Sequence, residues 1–142
     1  MKIKLIFLGK KKSGVLSDLI INYFARIKKE INSELVFFSN YNKKKISIIN
    51  NDDVVILVDE KGEHYDSISF SKKIKDKIQN SSKRIVFIVG DAYGFPLELY
   101  ERSDETISLS KLTFPHEIAR LIIVEQLYRA IMIIKNHPYH HE

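Results

Sequence analysis

Three segments of the 142-residue sequence combine glycine, hydroxyl or acidic residues directly after short apolar runs. They are residues 58–62 (VDEKG), 90–94 (GDAYG) and 108–116 (SLSKLTFPH). In open α/β sheets, ligands bind in the crevice at the carboxyl ends of the strands, so these segments are candidate ligand loops. Gly90 and Gly94 would let the backbone approach a ligand closely, because glycine has no Cβ and tolerates positive φ. On spacing alone, a tight strand-to-helix turn is the alternative.

The 108–116 segment interleaves hydroxyl and apolar side chains, a mixture that suits a partly apolar ligand held by backbone and hydroxyl hydrogen bonds. An irregular connection within the core is the alternative, and the residues alone do not decide between the two. The 90–94 segment lacks the Gly-Lys-Ser/Thr ending of an NTPase phosphate loop, so an ATPase is not indicated.

The C-terminal residues 136–142 (NHPYHHE) hold three of the five histidines in the chain. Histidine, tyrosine and glutamate side chains suit proton transfer and base stacking. A metal cluster, a frayed terminus and a tail folded over an active site are the alternatives. We expect no metal site, because the chain has no cysteine and no carboxylate stands at an obvious ligand spacing.

Short apolar runs alternate with amphipathic segments, and this alternation predicts an α/β domain with a mostly parallel sheet covered by helices on both faces. The predicted strands are residues 2–9, 35–38, 53–58, 84–89 and 106–109, and the predicted helices lie around 19–30, 67–79, 97–100 and 115–134. Residues 39–45, rich in Asn and Lys, are expected to form a surface loop. No repeat or linker divides the chain, so residues 1–142 should form one domain.

The composition limits the partners and the location. Twenty-three Lys and Arg against 18 Asp and Glu give a formal charge of +5, which favours an anionic partner, nucleic acid before a membrane. No apolar stretch reaches the ~20 residues that span a membrane, and no targeting segment is recognisable. The absence of cysteine suits a reducing compartment, so we expect a cytoplasmic protein. The lysine runs 10–12 and 43–45 are candidate RNA phosphate contacts, with solvated surface lysines as an equal alternative.

The last predicted helix has few positions suited to solvent. At about 100° per residue, His116 and Arg120 fall on one side and Glu125 and Arg129 nearly opposite. Apolar residues fill most of the remainder, and a helix that is apolar on nearly every side is buried. In so small a chain, that burial predicts a homodimer interface. Glu125 and Arg129 also have the i,i+4 spacing of an ion pair, which is the purely structural explanation for both.

Four motifs follow one another in the C-terminal third, at residues 90–95 (GDAYGF), 108–116 (SLSKLTFPH), 125–130 (EQLYRA) and 137–140 (HPYH). In this order they resemble the SPOUT-class methyltransferases that modify N3 of a pseudouridine in large-subunit ribosomal RNA. The match covers nearly the whole chain. The resemblance implies a SPOUT fold with a deep C-terminal trefoil knot, a homodimer with active sites at the subunit interface, and S-adenosylmethionine as methyl donor.

The resemblance also implies which residues form the site. Those of the cofactor pocket would be Val58, Gly90, Leu109, Ser110, Lys111, Leu112, Thr113 and Phe114. His116, Arg129, Tyr139 and His140 match family positions near the substrate. We expect His140 to be the base that removes the N3 proton and Arg129 to stabilise the deprotonated ring or its phosphate. Tyr139 would stack on or orient the base.

Two features depart from the family pattern. Asp91 stands where a second glycine is common, and it adds a negative charge near the expected cofactor. The connection between residues 39 and 52 is shorter than expected, which weakens any expectation of RNA contacts there. The competing interpretation is a non-catalytic ribosome-binding module that has lost its cofactor, although the 109–114 and terminal motifs are intact.

Overall fold

A computed structural model describes residues 2–39, 48–81 and 83–141. Its strands are β1 (Ile3–Leu8), β2 (Ser33–Phe38), β3 (Val54–His64), β4 (Ile85–Val89) and β5 (Glu105–Ser108), and its helices are α1 (Val15–Glu30), α2 (Ser67–Asn80), α3 (Leu97–Arg102) and α4 (His116–Ile134). All strands run parallel in one sheet of order β2-β1-β4-β3-β5. The predicted α/β class is confirmed. The knot stays a prediction, and the second lysine run, 43–45, lies outside the described residues.

Both faces of the sheet are covered, which explains why its central strands are apolar throughout. Every residue of β1 and β4 is buried. On one face, α4 lies between α1 and α2, and their side chains, including Phe24 and Ile123, form one core cluster with Phe87 of β4. The opposite face has a thinner cover, in which Leu99 of α3 packs with Ile49 over the strands. None of the described helices has the length and apolar character needed to cross a membrane.

A buried ion pair joins the amino ends of β3 and β4. Asp53 accepts hydrogen bonds from Arg84 Nε at 2.9 Å and Nη2 at 2.5 Å, and the Asp53 side chain is 3% exposed. Arg84 also donates to the Ile48 carbonyl at 3.1 Å. These bonds fix the amino ends of the two strands, at the end of the sheet opposite the candidate ligand loops.

The third strand is longer than its sequence suggests. We expected β3 to end at Val58 and residues 58–62 to form a ligand loop, but β3 continues to His64. After a register shift, Glu63 pairs with Ile107 and His64 with Ser108. Gly62 permits this pairing, because a Cβ there would lie 2.5 Å from the Ile107 carbonyl carbon. The polar residues of this second half of β3 face solvent beside the short edge strand β5. The sequence therefore lacks the apolar pattern that would have predicted a strand here.

Burial along α4 is one-sided within this chain. Arg120 lies on the inward side and is only 2% exposed, whereas Ile118, Ile122 and Glu125 on the outward side are partly exposed. The expectation of burial on nearly every side is therefore not met by one copy of the chain. The outward side combines apolar residues with the Glu125–Arg129 ion pair, which confirms the predicted i,i+4 contact.

Candidate cofactor pocket and catalytic residues

A cavity of about 550 Å³ opens at the carboxyl ends of β3, β4 and β5. Seven of the eight expected cofactor residues line it, namely Val58, Gly90, Leu109, Ser110, Leu112, Thr113 and Phe114. Lys111 is exposed and does not line the cavity. Val89 and Ala119 line it without having been singled out from the sequence. Their positions in the sequence could have indicated both residues, because Val89 directly precedes Gly90 and Ala119 lies one helical turn beyond Pro115.

The hydroxyl groups of the 108–114 segment hold the segment itself. Ser108 Oγ donates to the Ser110 carbonyl at 2.8 Å, and Ser110 Oγ accepts from the Leu112 amide at 3.0 Å. Thr113 Oγ1 donates to Glu60 Oε2 at 2.7 Å and ties the segment to β3. These hydroxyls therefore shape the pocket wall, and the segment offers a ligand mainly its backbone groups and apolar side chains.

The 90–94 segment is a closed turn. The Gly94 amide donates to the Asp91 carbonyl at 3.1 Å, and Asp91 Oδ1 accepts from the Tyr93 amide at 2.8 Å. Gly94 has φ 78°, and a Cβ on Gly90 would lie 2.9 Å from the Gly94 carbonyl oxygen. The turn therefore requires both glycines, as expected for a tight strand-to-helix turn. The same turn also borders the cavity. The Asp91 side chain therefore stabilises this turn.

Three acidic side chains border the cavity. Asp59, Glu60 and Asp91 belong to its lining. Tyr100 on α3 donates a short hydrogen bond to Asp59 Oδ2. Burial and this carboxylate raise the pKa of Tyr100 to about 12, so Tyr100 stays a neutral donor. The cavity therefore joins an apolar floor to a negatively charged rim, which suits a ligand that carries positive charge.

His116 begins α4 and borders the same cavity. Burial lowers the pKa of His116, and the nearby charges of Arg120 and Lys12 lower it further. A neutral imidazole is therefore favoured at the mouth of the cavity near pH 7.

The other three expected catalytic residues meet on the outward side of α4. The chain reverses at Asn136, which has φ 57°, and the tail folds back along the helix. Arg129 donates from Nε at 3.0 Å and from Nη2 at 2.6 Å to Glu125 Oε1. Tyr139 donates to the same oxygen at 3.0 Å, and its ring lies 4.9 Å from the Arg129 guanidinium. The tail is therefore folded and not frayed.

Electrostatics keep this cluster in defined protonation states. The Glu125 carboxylate is the main cause of a raised pKa for Arg129. Burial, then hydrogen bonds to Tyr23 and Glu125, raise the pKa of Tyr139 well above its ordinary value. Tyr139 therefore remains a neutral hydrogen-bond donor, and Arg129 remains a cation, throughout the physiological pH range.

The histidine of the cluster is held by Arg129, whose Nη1 lies 3.0 Å from His140 Nδ1. Arginine has only donors, so Nδ1 must accept, and in the neutral ring the proton then resides on Nε2. In this arrangement His140 presents a donor and has no free basic nitrogen. The contact thus changes what the expected base can do, because His140 would have to leave Arg129 before it could accept a proton.

The four expected catalytic residues form two separate groups within one chain. Arg129 follows His116 by 13 residues of α4. At about 1.5 Å per residue, this places the two side chains about 20 Å apart along the helix axis. His116 belongs to the cavity, whereas Arg129, Tyr139 and His140 form the tail cluster. Among the described residues, no three His, Asp or Glu side chains converge in a way that could hold a metal ion.

Comparison with known proteins identifies the class of this fold and site. Residues 1–140 match the family model described as "Predicted SPOUT methyltransferase". The chain belongs to the SPOUT methyltransferase family, whose members use S-adenosylmethionine as methyl donor, and it is a methyltransferase dependent on that cofactor. The expectations of family, enzyme class and cofactor are confirmed.

Particular relatives extend this result over the full chain. The chain is 40% identical to "Ribosomal RNA large subunit methyltransferase H" of Christiangramia forsetii, with 99% of each chain covered. It is 37% identical to the protein of the same name from Parabacteroides distasonis, with 100% of each covered. A solved structure, a probable methylase family protein from Haemophilus influenzae Rd KW20, matches with a TM-score of 0.59 at 12% identity, covering 99% of this chain and 70% of that one. That likeness concerns the fold alone.

The cavity suits S-adenosylmethionine on its own geometry. Its volume of about 550 Å³ is in the range of small-molecule sites, about 300–1,000 Å³. Val58, Leu109 and Phe114 offer apolar contact, the turn at Gly90 allows close backbone approach, and the acidic rim complements a sulfonium and an ammonium group. Asp91 adds to this rim, so its charge does not oppose the cofactor.

Proposed function

We propose that this enzyme methylates N3 of a pseudouridine in large-subunit ribosomal RNA. The observation that carries the proposal is full-length similarity, at 37–40% identity, to two proteins named as ribosomal RNA large subunit methyltransferases. The motif pattern of the C-terminal third supports pseudouridine as the nucleotide. A ribosomal substrate would also put the site of action in the cytoplasm.

The pocket residues would hold the cofactor, with Val58, Leu109 and Phe114 against its apolar parts and the backbone of Gly90 close to it. When bound, S-adenosylmethionine supplies an electrophilic methyl group. The protein contributes mainly by positioning the acceptor nitrogen, because an in-line displacement needs little covalent help. His116, neutral at the rim of the pocket, would contact the incoming base.

The tail cluster would activate the acceptor. N3 of the ring carries a proton at neutral pH, and that proton must pass to solvent water on or before attack. With Nδ1 held by Arg129, His140 offers its Nε2–H to a carbonyl oxygen beside N3, where negative charge accumulates when the proton leaves. Arg129 strengthens this donor and contributes its own charge, while Tyr139 orients the base. His140 therefore acts as an oxyanion donor in this arrangement, and becomes a base only if it leaves Arg129.

A homodimer would bring the two groups together. A two-fold axis perpendicular to α4 would place the helices of the two copies antiparallel. With the axis near Ile122, His116 of one copy lies opposite the partner's Arg129, since both are almost equally far from the axis along α4. The partly exposed Ile118, Leu121 and Ile122 supply apolar surface for this contact. The pocket of one copy would then face the tail cluster of the other.

A two-part experiment tests the proposal. Calorimetric titration with S-adenosylmethionine measures cofactor binding, and transfer of a labelled methyl group to large ribosomal subunits, followed by nucleoside mass spectrometry, locates the product. We expect binding and a single N3-methylated pseudouridine, and no label with Gly90→Val, whose side chain would break the turn at the pocket. Cofactor binding with no labelled RNA would contradict the substrate. Absence of cofactor binding would support the non-catalytic module instead.

A further inference from the structure

We propose that Arg26 on α1 binds a phosphate of the RNA substrate beside the tail cluster. The identity of that RNA rests on the proposed function, but Arg26 belongs to neither the cofactor pocket nor the tail cluster. Arg26 is exposed, and its guanidinium lies over the ring of Tyr23 at 5.0 Å and over that of Tyr128 at 5.8 Å. Cations are attracted to aromatic faces at such distances, so two rings hold this long side chain in place at the surface.

The positive charge of Arg26 is not neutralised by any carboxylate of the described residues. Glu30 stands four residues further along α1, at the spacing of a helical ion pair. Its Oε2 instead accepts from Lys135 Nζ at 2.7 Å. The Glu125 carboxylate of α4 is engaged by Arg129, with 2.6 Å between Oε1 and Nη2. The charge of Arg26 is therefore available for an anion from outside the chain.

The rings that hold Arg26 continue into the tail cluster. The ring centroids of Tyr128 and Tyr139 lie 4.9 Å apart, and the hydroxyl oxygens of Tyr23 and Tyr139 lie 3.4 Å apart. The Tyr139 ring in turn lies 4.9 Å from the Arg129 guanidinium. Three tyrosines thus connect two cations, and of these two only Arg129 has a carboxylate partner.

A phosphodiester is the anion that fits this arrangement. A guanidinium that lies over aromatic rings still donates from its edge, and its planar fork matches the oxygens of a phosphate. The target base would lie at the tail cluster, and the nucleotides on either side of it carry phosphates nearby. A contact to one of these phosphates fixes register and orientation without reading sequence. Arg26 would therefore hold the strand while His140 and Arg129 act on the base.

Binding and kinetics with large ribosomal subunits test this contact on the full-length protein. The variants are Arg26→Met, which removes the charge, and Arg26→Lys, which keeps it. The matched control is Lys28→Met, because Lys28 is an exposed cation of the same helix and lies about 200° around it from Arg26. Subunit binding is measured at several salt concentrations, and KM and kcat by transfer of a labelled methyl group. Urea denaturation and analytical ultracentrifugation measure the free energy of unfolding and the affinity of the dimer.

We expect Arg26→Met to raise the KM for ribosomal subunits several-fold with little change in kcat. The same variant should reduce the slope of log K against log [salt] by about 0.7, the value for one single-strand phosphate. Arg26→Lys should keep the slope, because it keeps the charge. The Lys28→Met control should change neither KM nor the slope.

Equal salt slopes for Arg26→Met and Lys28→Met would overturn the proposal. A loss of stability or of dimer affinity in Arg26→Met with an unchanged slope would also overturn it, and would assign Arg26 to packing or to contact with a second copy. Failure of the proposed function differs from both results, because the unmodified protein would then transfer no methyl group to ribosomal RNA. The salt slope needs no methyl transfer, so it tests the contact in that case too.

Discussion

Arg129 donates from Nη1 to Nδ1 of His140 at 3.0 Å, and this contact decides which nitrogen of the histidine carries the proton. We predict that neutral His140 is the Nε2–H tautomer. Long-range ¹H–¹⁵N NMR spectra distinguish the two tautomers directly. Arg129→Met should produce a mixture of tautomers, whereas Lys135→Met, which removes an exposed cation near the end of α4, should not. A neutral His140 protonated on Nδ1 in the unmodified protein would show that the contact does not persist in solution.

Loss of the His140 side chain should affect the chemical step and not cofactor binding. We expect His140→Ala to lower kcat by about 10²–10³, the effect of removing one donor to a developing oxyanion. The Kd for S-adenosylmethionine, measured by calorimetry, should stay the same, because His140 is proposed to contact the substrate base and not the cofactor. His140→Gln, which keeps a donor but cannot act as a base, should retain part of the rate. If the glutamine variant is as inactive as the alanine variant, His140 serves as a base.

Mixing two inactive variants should restore activity if the site is shared between copies. Gly90→Val removes the pocket of its own chain, and His140→Ala removes the tail donor. After subunit exchange of an equal mixture, half of the dimers contain one of each and hold one intact site, so about a quarter of the activity should return. Light scattering should show a dimer throughout. A mixture that stays inactive although exchange is complete would place the whole site within one chain.

The close approach of Gly62 to Ile107 predicts a position that tolerates no side chain. Gly62→Ala puts a methyl group against rigid backbone, and we expect the free energy of unfolding to fall by about 1–3 kcal/mol, the range for overpacking. Cofactor affinity should fall too, because β3 and β5 both border the cavity. Lys61→Ala, at an exposed neighbouring position, should change the unfolding free energy by less than about 0.5 kcal/mol. Urea denaturation measures both, and equal stability of the two variants would contradict the tight pairing.

The buried Asp53 predicts a loss of stability in acid. Burial would raise the pKa of this carboxyl, but hydrogen bonds from Arg84 and from the Asn50 amide outweigh it and hold the pKa below its ordinary value. Its contribution is therefore fully present above the unfolded-state pKa of about 3.9 and is lost as the pH falls through the lower folded-state pKa. Asp53→Asn should cost about 3–5 kcal/mol near pH 7 because it leaves Arg84 unpaired, and should flatten the pH dependence below pH 5. An unchanged acid profile in this variant would remove Asp53 as the cause.

The sequence predicted those features that follow from periodicity and from turn chemistry. Continuous apolar runs indicated β1 and β4, and Gly90 and Pro115 marked the turns around the pocket. Seven expected pocket residues line the cavity because parallel strands bring their carboxyl ends to one edge. The second half of β3 was missed, since its pairing depends on the contact between Gly62 and Ile107 and not on any apolar pattern. Lys111 is exposed and does not line the cavity, and alternation along an irregular segment could not predict which side chain turns outward.

Side-chain partners were the least predictable part of the site. Spacing indicated the Glu125–Arg129 pair, but not that Tyr139 and His140 would join it, because the reversal at Asn136 is a long-range consequence of the tail packing on α4. Arg120 was placed beside His116 on the helix, yet nothing in the sequence marked it as buried. Its burial depends on the carbonyl groups of Leu8 and Lys10, which are distant in sequence.

Arg84 and Arg120 give the two ends of the strands different responses to acid. Arg84 depends on a carboxylate that protonation removes, whereas Arg120 is held by the Leu8 and Lys10 carbonyls, which do not titrate. Acidification through the lowered pKa of Asp53 should therefore loosen the amino ends of the strands first, while the carboxyl ends that carry the pocket keep the Arg120 contacts. Amide hydrogen exchange measured at falling pH should then increase first at the amino ends of the strands, which lie opposite the cofactor pocket.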